Sequence, residues 1–436
     1  MTTRRAPAPQ LRIGLAGFGT VGQSLARLLL EEGPRIEELH GVKLSLAAVA
    51  NRGVARKRQP WVPPGVRWLE DPLALATDPG VDVVVELMGG LEPAGTLVLG
   101  ALSSGRSVVT ANKLLLARRG EEIARAAREG RAALGIEAAV AGGIPVLRAL
   151  RESFTGDRLL GVTGILNGTC NFVLTEMERT GRAFGEVLAE AQALGYAEAD
   201  PTSDVSGQDA AYKLALLSRM AFAQAVPVEA VRVEGIDRLL PCDFVYAAQL
   251  HRTPRQLGLS RLLPSGRLLL SVRTHMVAVT SILAKVAGPF NAVQLTGEHG
   301  GDFVLYGRGA GGAPTATAVL ADLVAVARGG AATAPPLGFE AFAPFAAAGP
   351  EESVAPFYLR FVVRDRPGIL AEICRCLAAH GINIEAVWQA PWADKDALPF
   401  VVTLEPVAEA ELSRALSEIA ALGFHAAEPL ALPMTP

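Results

Sequence analysis

LRIGLAGFGTVGQSLARLLL, residues 11–30, decides the fold. Residues 11–16 form a short apolar run of the buried-strand type. A glycine-rich turn, Gly17-Phe18-Gly19-Thr20-Val21-Gly22, follows at once, and Val21, Leu25, Leu28 and Leu29 then recur at helical spacing. The motif G-x-G-x-x-G thus stands after a strand and before a helix, the context that gives it meaning. The first glycine makes the tight turn, the second lets backbone approach a pyrophosphate, and the third lets helix pack on strand, with the helix N-terminus facing the phosphates. Residues 17–22 are expected to hold a dinucleotide.

Outward from this stretch, the next strand, residues 43–50, ends in Asn51-Arg52, where an NAD-selective site would place an acid for the ribose hydroxyls. Arg52, with Arg56, Lys57 and Arg58 behind it, favours a 2′-phosphate and hence NADP, with NAD left open. Strand and helix patterns alternate through residues 81–87, 107–110 and 132–136, which predicts an α/β fold with a Rossmann-type, doubly wound parallel sheet. Loops at the carboxyl ends of its strands should line the site. Gly89-Gly90 supplies backbone without side chains where a nicotinamide lies, and Thr110-Ala-Asn-Lys113 places an amine at a strand end.

With 436 residues, two or three domains are expected. Hydrophobic content of 50%, charged content of 19% and a net charge of -3 point away from nucleic-acid and membrane surfaces. No apolar run reaches spanning length, and MTTRRAPAPQ reads as a frayed tail and not as a signal peptide. Cys170, Cys242, Cys374 and Cys376 have no framework or CxxC spacing and read as reduced thiols of a cytoplasmic protein. The histidines include no HExxH, so a catalytic zinc is not expected.

Charge concentrates in GYAEADPTSDVSGQDAAYK, residues 195–213. Asp209 and Lys213 share a helix face by their spacing, and Glu198, Asp200 and Asp204 lie in the Pro- and Gly-punctuated approach. A helix-start capping box with an ordinary surface ion pair would have the same wording. The stretch resembles the substrate signature of homoserine dehydrogenases, a GYxExDP segment leading to D-x-x-G-x-D-x-x-x-K. TANK at residues 110–113 and GILNGT at residues 164–169 also match that family.

The resemblance implies reversible hydride transfer between NAD(P)H and aspartate 4-semialdehyde to give homoserine, with Lys213, Asp209 and Lys113 at the reacting centre and Glu198, Asp204, Gly168 and Thr169 on the substrate. It further implies a sodium or potassium site built by the Glu137 side chain and the backbone oxygens of Val140, Gly142 and Ile144. Gly309 and Gly311, ahead of a helix at residues 317–327, suit a lid or an added cofactor contact. Which lysine gives up the proton stays open, because a working amine near neutral pH needs burial or a cationic neighbour. Cys170 is not read as a nucleophile, since no histidine lies near it in sequence.

The domain scheme that follows is a tail at 1–10, a cofactor domain at 11–136 with a returning helix near 313–328, and an α+β substrate and dimerisation domain at 137–312. Within the substrate domain, segments are expected at 231–236, 243–250, 268–272 and 276–279. An Ala-, Gly- and Pro-rich linker covers 329–350, with Phe339, Phe342 and Phe345 laid against the body. From residue 357 the order βαββαβ, ending in a weak strand, reads as a ferredoxin-like unit. DRPGILAEI and GINI in this unit resemble the amino-acid-sensing ACT module, spanning 354–432.

In that module Asp365, Gly368 and Asn383 are the expected effector contacts, threonine is the first candidate effector, and the assembly is a homodimer or homotetramer. A chain ending near Gly349 is expected to keep catalysis and lose inhibition. The rival readings are another two-domain nicotinamide dehydrogenase and an amino-acid-binding regulator with a degenerate cofactor domain. Intact Lys113, Asp209 and Lys213 argue against the second.

Overall fold

The computed structural model describes residues 9–329, 343–391 and 394–435. The chain divides into two compact units, one of Met1–Val162, Tyr212–Glu229 and Val293–Phe345, the other of Thr163–Ala211, Ala230–Ala292 and Ala346–Pro436.

The first unit opens with β1 (Gln10–Ala16), α1 (Thr20–His40), β2 (Lys43–Ala50), α2 (Val54–Lys57), β3 (Arg67–Leu69) and β4 (Val83–Glu86). It continues with α3 (Ala94–Ser103), β5 (Ser107–Thr110), α4 (Lys113–Glu129), β6 (Leu134–Gly135) and α5 (Val146–Glu152). The strands form a parallel sheet in the order β3-β2-β1-β4-β5-β6. All four residues of β4 are buried, as both faces of such a sheet demand. Strand order reverses beside β1, so the crevice at the carboxyl ends of β1 and β4 is the place where this topology binds ligands.

The chain leaves this unit through β7 (Leu159–Ile165) and proceeds through α6 (Gly168–Thr180), α7 (Phe184–Ala193), α8 (Thr202–Val205) and α9 (Gln208–Phe222). The segment expected at 231–236 holds the two-residue β8 (Arg232–Val233), and α10 (Pro241–Gln249) follows. Next comes a strand that sequence patterning passes over, β9 (Arg252–Leu262), paired antiparallel along its whole length with β10 (Leu268–Ala278). The two segments expected at 268–272 and 276–279 are this one strand, because Arg273, Thr274 and His275 between them are buried despite their polarity. After β11 (Asn291–Gly297) and β12 (Gly301–Gly307), α11 (Gly312–Ala327) returns to the first unit and packs Ala316, Val319 and Leu323 into the core that holds Leu25, Ala26 and Leu29 of α1.

Residues 330–342, with Phe339 and Phe342, and residues 1–8 lie outside the described residues. Ala343 bridges to Gln224, Ala347 bridges to Leu268, and Phe345 is half-buried. The last segment is β13 (Val354–Val363), α12 (Ile369–Ala379), β14 (Ile384–Trp388), β15 (Leu398–Ala408), α13 (Glu409–Ala420) and β16 (His425–Thr435). It is the ferredoxin-like unit, with strand order β16-β13-β15-β14.

Its last strand is not weak: β16 spans 11 residues, and its end pairs in parallel with β10 through Met276–Met434 and Val277–Thr435. The second unit therefore has a continuous core in which Cys170 and Phe172 of α6, Tyr246 of α10 and Met276 of β10 pack with Tyr358, Val401, Leu430 and Met434. Ion pairs cross the same junction. Arg360 meets Asp243 at 2.7 Å with both side chains essentially dry, and Glu409 takes both Arg273 and Arg232.

Candidate active site

The glycine-rich turn is shaped by close packing. A Cβ on Gly17, which has φ +98°, would lie 2.7 Å from the Leu87 carbonyl, and one on Gly22 would lie 2.2 Å from the Gly17 carbonyl. A Cβ on Gly19, in contrast, would meet nothing within 4 Å, so the space beside that residue is open for a phosphate to approach. Phe18 donates its N–H to Asn51 Oδ1 at 3.0 Å, which ties the turn to the end of β2, and its ring packs on Trp61 and Trp68. Thr20 and Val21 start α1, with the Thr20 carbonyl taking the Ser24 hydroxyl, and Arg52 is exposed. These residues fit a dinucleotide pyrophosphate.

At the ends of β4 and β5 a buried network fixes the neighbouring loops. The Glu86 carboxylate, fully buried, accepts from Thr110 Oγ1 (2.6 Å), Met88 N (2.8 Å) and Gly89 N (3.1 Å). Thr110 Oγ1 accepts from Asn112 N, and Asn112 caps α4 through Leu115 N while donating to the Gly90 carbonyl at 2.7 Å. Gly89 and Gly90 both have positive φ, so the turn they make could not be built from ordinary residues without strain. Lys113 is the first residue of the capped helix and is half-buried.

The glycine run at Gly309–Gly312 packs closely at its two ends, with Ala310 and Gly311 exposed between them. A Cβ on Gly142 would come within 2.5 Å of the Gly309 carbonyl, Gly143 N donates to the Arg308 carbonyl, and a Cβ on Gly312 would strike Ser24 Oγ at 2.5 Å. The turn that meets it begins at Glu137, whose carboxylate accepts from Leu147 N (3.0 Å) and Arg148 N (2.8 Å) at the start of α5. Burial, reinforced by the Asp322 carboxylate, raises Glu137 to about 7, and burial raises Asp322 to about 6. Asp322 in turn accepts from Glu137 N at 2.9 Å and from Arg148 at 3.3 Å. Val140, Gly142 and Ile144, whose backbone oxygens are the expected partners of a cation, are buried in the turn that follows Glu137.

In the second unit, β7 delivers Asn167 as the cap of α6. Its Oδ1 accepts from Cys170 N at 2.8 Å, while its Nδ2 donates to Asp204 Oδ1 (2.7 Å) and to Asp209 Oδ2 (2.9 Å). One carboxamide thus gathers two of the four acids of the charged stretch. Cys170 is fully buried with its thiol on the Asp204 carbonyl at 3.1 Å, which suits a structural thiol. Thr169 Oγ1 donates to the Tyr196 carbonyl at 2.6 Å. A Cβ on Gly168 would meet the Pro289 carbonyl at 2.9 Å.

Asp209 and Lys213 begin α9 and are only 6% and 7% exposed, so they are not a surface ion pair. Glu198 is exposed, its carbonyl held by Gln192 at 3.1 Å, and is not among the groups that Asn167 gathers. In the last module Asp365 and Gly368 are exposed ahead of α12, with Asp365 paired to Lys395 at 3.2 Å, and Asn383 is exposed before β14.

Sequence reasoning left Asn167, Glu86, Asn112 and Asp322 without roles. An acid ending the apolar run of β4 and another inside the apolar α11 were the available signals for two of them.

Among the described residues, no helix is long and apolar enough to cross a membrane. The family profiles described as "Homoserine dehydrogenase", "Homoserine dehydrogenase, NAD binding domain" and "ACT domain" match residues 145–324, 17–137 and 357–424. A homoserine dehydrogenase of Pseudomonas aeruginosa is 40% identical over 424 residues, covering 94% of this chain and 96% of that protein. A crystal structure of a homoserine dehydrogenase from Thiobacillus denitrificans superposes with a TM-score of 0.89 at 37% identity, covering 98% of each chain. A hyperthermophilic archaeal homoserine dehydrogenase in complex with NADPH aligns at a TM-score of 0.61 and 25% identity, over 73% of this chain and 97% of that one. A doubly wound sheet with an open glycine turn, two acids held on one carboxamide and these matches agree: the chain belongs to the homoserine dehydrogenase family, as an NAD(P)-dependent oxidoreductase with a C-terminal ACT domain.

Proposed function

We propose that the chain interconverts L-aspartate 4-semialdehyde and L-homoserine through the residues of the charged stretch, and the observation that carries this is the Asn167 carboxamide holding Asp204 and Asp209 together. NAD(P)H, when bound along residues 17–22 and against Gly89 and Gly90, supplies the hydride for the aldehyde carbon. Asp204 and Glu198 hold the substrate ammonium and hydroxyl groups. Lys213, buried on α9 one turn after Asp209, gives its proton to the carbonyl oxygen as the alkoxide develops and takes it back in the reverse direction. Asp209 orients that amine. Lys113 adds positive charge at the same oxygen, and the network from Glu86 through Thr110 to Asn112 keeps its helix and the Gly89–Gly90 turn in place.

Glu137 and the carbonyls of Val140, Gly142 and Ile144 would hold a sodium or potassium ion, which would relieve the two buried carboxylates. Gly309, packed beside that turn, and the exposed Gly311 belong to the cofactor edge. Asp365, Gly368 and Asn383 are read as the effector contacts, with threonine as the effector, and the assembly as a homodimer or homotetramer in the cytoplasm. The test is turnover: homoserine with NAD+ or NADP+ should give stoichiometric absorbance at 340 nm, read as about one reduced cofactor per alcohol oxidised. A chain that binds cofactor but turns over no homoserine with either would refute the reading.

A further inference from the structure

β2 and β3 are neighbouring parallel strands, registered with Ala50 opposite Leu69, and Asn51 N donates to the Leu69 carbonyl at 3.0 Å. The residues that follow each strand, Asn51 and Glu70, therefore stand side by side at the carboxyl end of the sheet. Asn51 is already joined to the glycine-rich turn through Phe18 N, so this edge is continuous with the dinucleotide site. The exposed Glu70 carboxylate lies across the turn after β2, where Oε2 accepts from Gly53 N at 2.9 Å and Oε1 from Val54 N at 3.1 Å.

In this fold the adenosine ribose lies at the end of the second strand, and an acid there accepts from the ribose hydroxyls. β2 carries no such acid, and β3 supplies one from the adjacent position. We propose that Glu70 is the specificity-determining residue of the cofactor site, favouring the free 2′-hydroxyl of NAD(H) over the 2′-phosphate of NADP(H). This rests on the dinucleotide reading of residues 17–22 and departs from the preference for NADP that Arg52 suggests by itself.

A hydroxyl can donate to a carboxylate, whereas a phosphate dianion can only be repelled by it at contact range. The turn's two backbone donors are also already satisfied by Glu70, so they are not left to offset that repulsion. Arg52, exposed on the same turn, pulls the other way, which makes the preference graded rather than absolute.

The experiment is direct fluorescence titration of NADH and NADPH, without substrate, on the unaltered full chain, Glu70→Gln and Glu70→Ala at one fixed ionic strength. Glu70→Gln keeps an acceptor for the turn and so guards against a local unfolding artefact, which equal thermal midpoints would confirm. The unaltered chain is expected to bind NADH more tightly, and both variants should raise the NADPH-to-NADH affinity ratio by about tenfold, chiefly by tightening NADPH. If both cofactors bind and the ratio moves by less than about twofold in both variants, Glu70 does not set specificity and the proposal falls. If the unaltered chain binds neither cofactor, the dinucleotide reading itself falls and takes the proposal with it.

Discussion

Arg360→Met should destabilise the second unit sharply, although Arg360 lies in the ACT module. Its guanidinium reaches Asp243 Oδ2 at 2.7 Å and the Arg238 carbonyl at 3.2 Å, and Asp243 also accepts from Leu240 N and the Tyr358 hydroxyl. Asp243 is 0% exposed, and burial already pushes its carboxyl above the ordinary range against the pull of Arg360. Removing the cation leaves a dry carboxylate uncompensated, a change worth about 3–5 kcal/mol. For a cooperative unit of roughly 150–250 residues that corresponds to a fall in thermal midpoint of roughly 6–20 °C. The double variant Asp243→Asn with Arg360→Met removes both charges and should recover most of the loss, because replacing a buried pair costs far less than breaking it. Calorimetry at neutral pH on the unaltered chain, both single variants and the double variant gives the coupling directly. A midpoint within about 2 °C of the unaltered chain for Arg360→Met would show that the junction does not carry the load assigned to it.

The same junction corrects the expectation that a chain ending near Gly349 keeps catalysis. Such a cut would strip Tyr358, Val401, Leu430 and Met434 from the core that seats α6, and would take Arg360 from Asp243 and Glu409 from Arg232 and Arg273. Loss of fold in the second unit is the expected result. Asn167→Ser keeps an oxygen to cap α6 but loses the NH2 between Asp204 and Asp209, so the KM for homoserine should rise at least about tenfold with little change in thermal midpoint. An unchanged KM would mean that the two acids need no common donor. Glu137 and Asp322, at about 7 and about 6, bind protons in the folded state more tightly than in the unfolded chain. Their sign is therefore the reverse of an ordinary paired acid: stability falls as pH rises from the ordinary carboxylate range through these values. Asp322→Asn should flatten that slope in low-cation buffer, and a slope unchanged between pH 4.5 and 7 would contradict the assignment.

Much of the cofactor unit was legible because its strands are short, apolar and punctuated by glycine, so local pattern and tertiary role coincide. The ferredoxin-like module was legible for the same reason. β9 was not, since Pro254, Arg255, Gln256 and Gly258 interrupt any apolar alternation, and the buried Arg255 finds Glu178 and the Ala284 carbonyl far away in sequence as well as Thr253 and Pro254 beside it. The charged stretch was visible as an anomaly, but the residue that organises it comes from GILNGT, far away in sequence. Asn167 could be quoted from the chain, while its role needed the fold. Glu70 is a plainer case of the same limit, because its place beside Asn51 depends on the pairing of β2 with β3.

The most direct test of the central claim is to measure kcat for homoserine oxidation and cofactor affinity side by side in Lys213→Ala and Asp209→Ala. Both side chains are buried on the first turns of α9 and are assigned to the reacting oxygen and not to the cofactor. The account predicts that kcat falls by about 10²–10⁴-fold in Lys213→Ala and substantially in Asp209→Ala, with cofactor affinity within about threefold of the unaltered chain. Near-normal kcat in both variants, or a loss confined to cofactor binding, would contradict it.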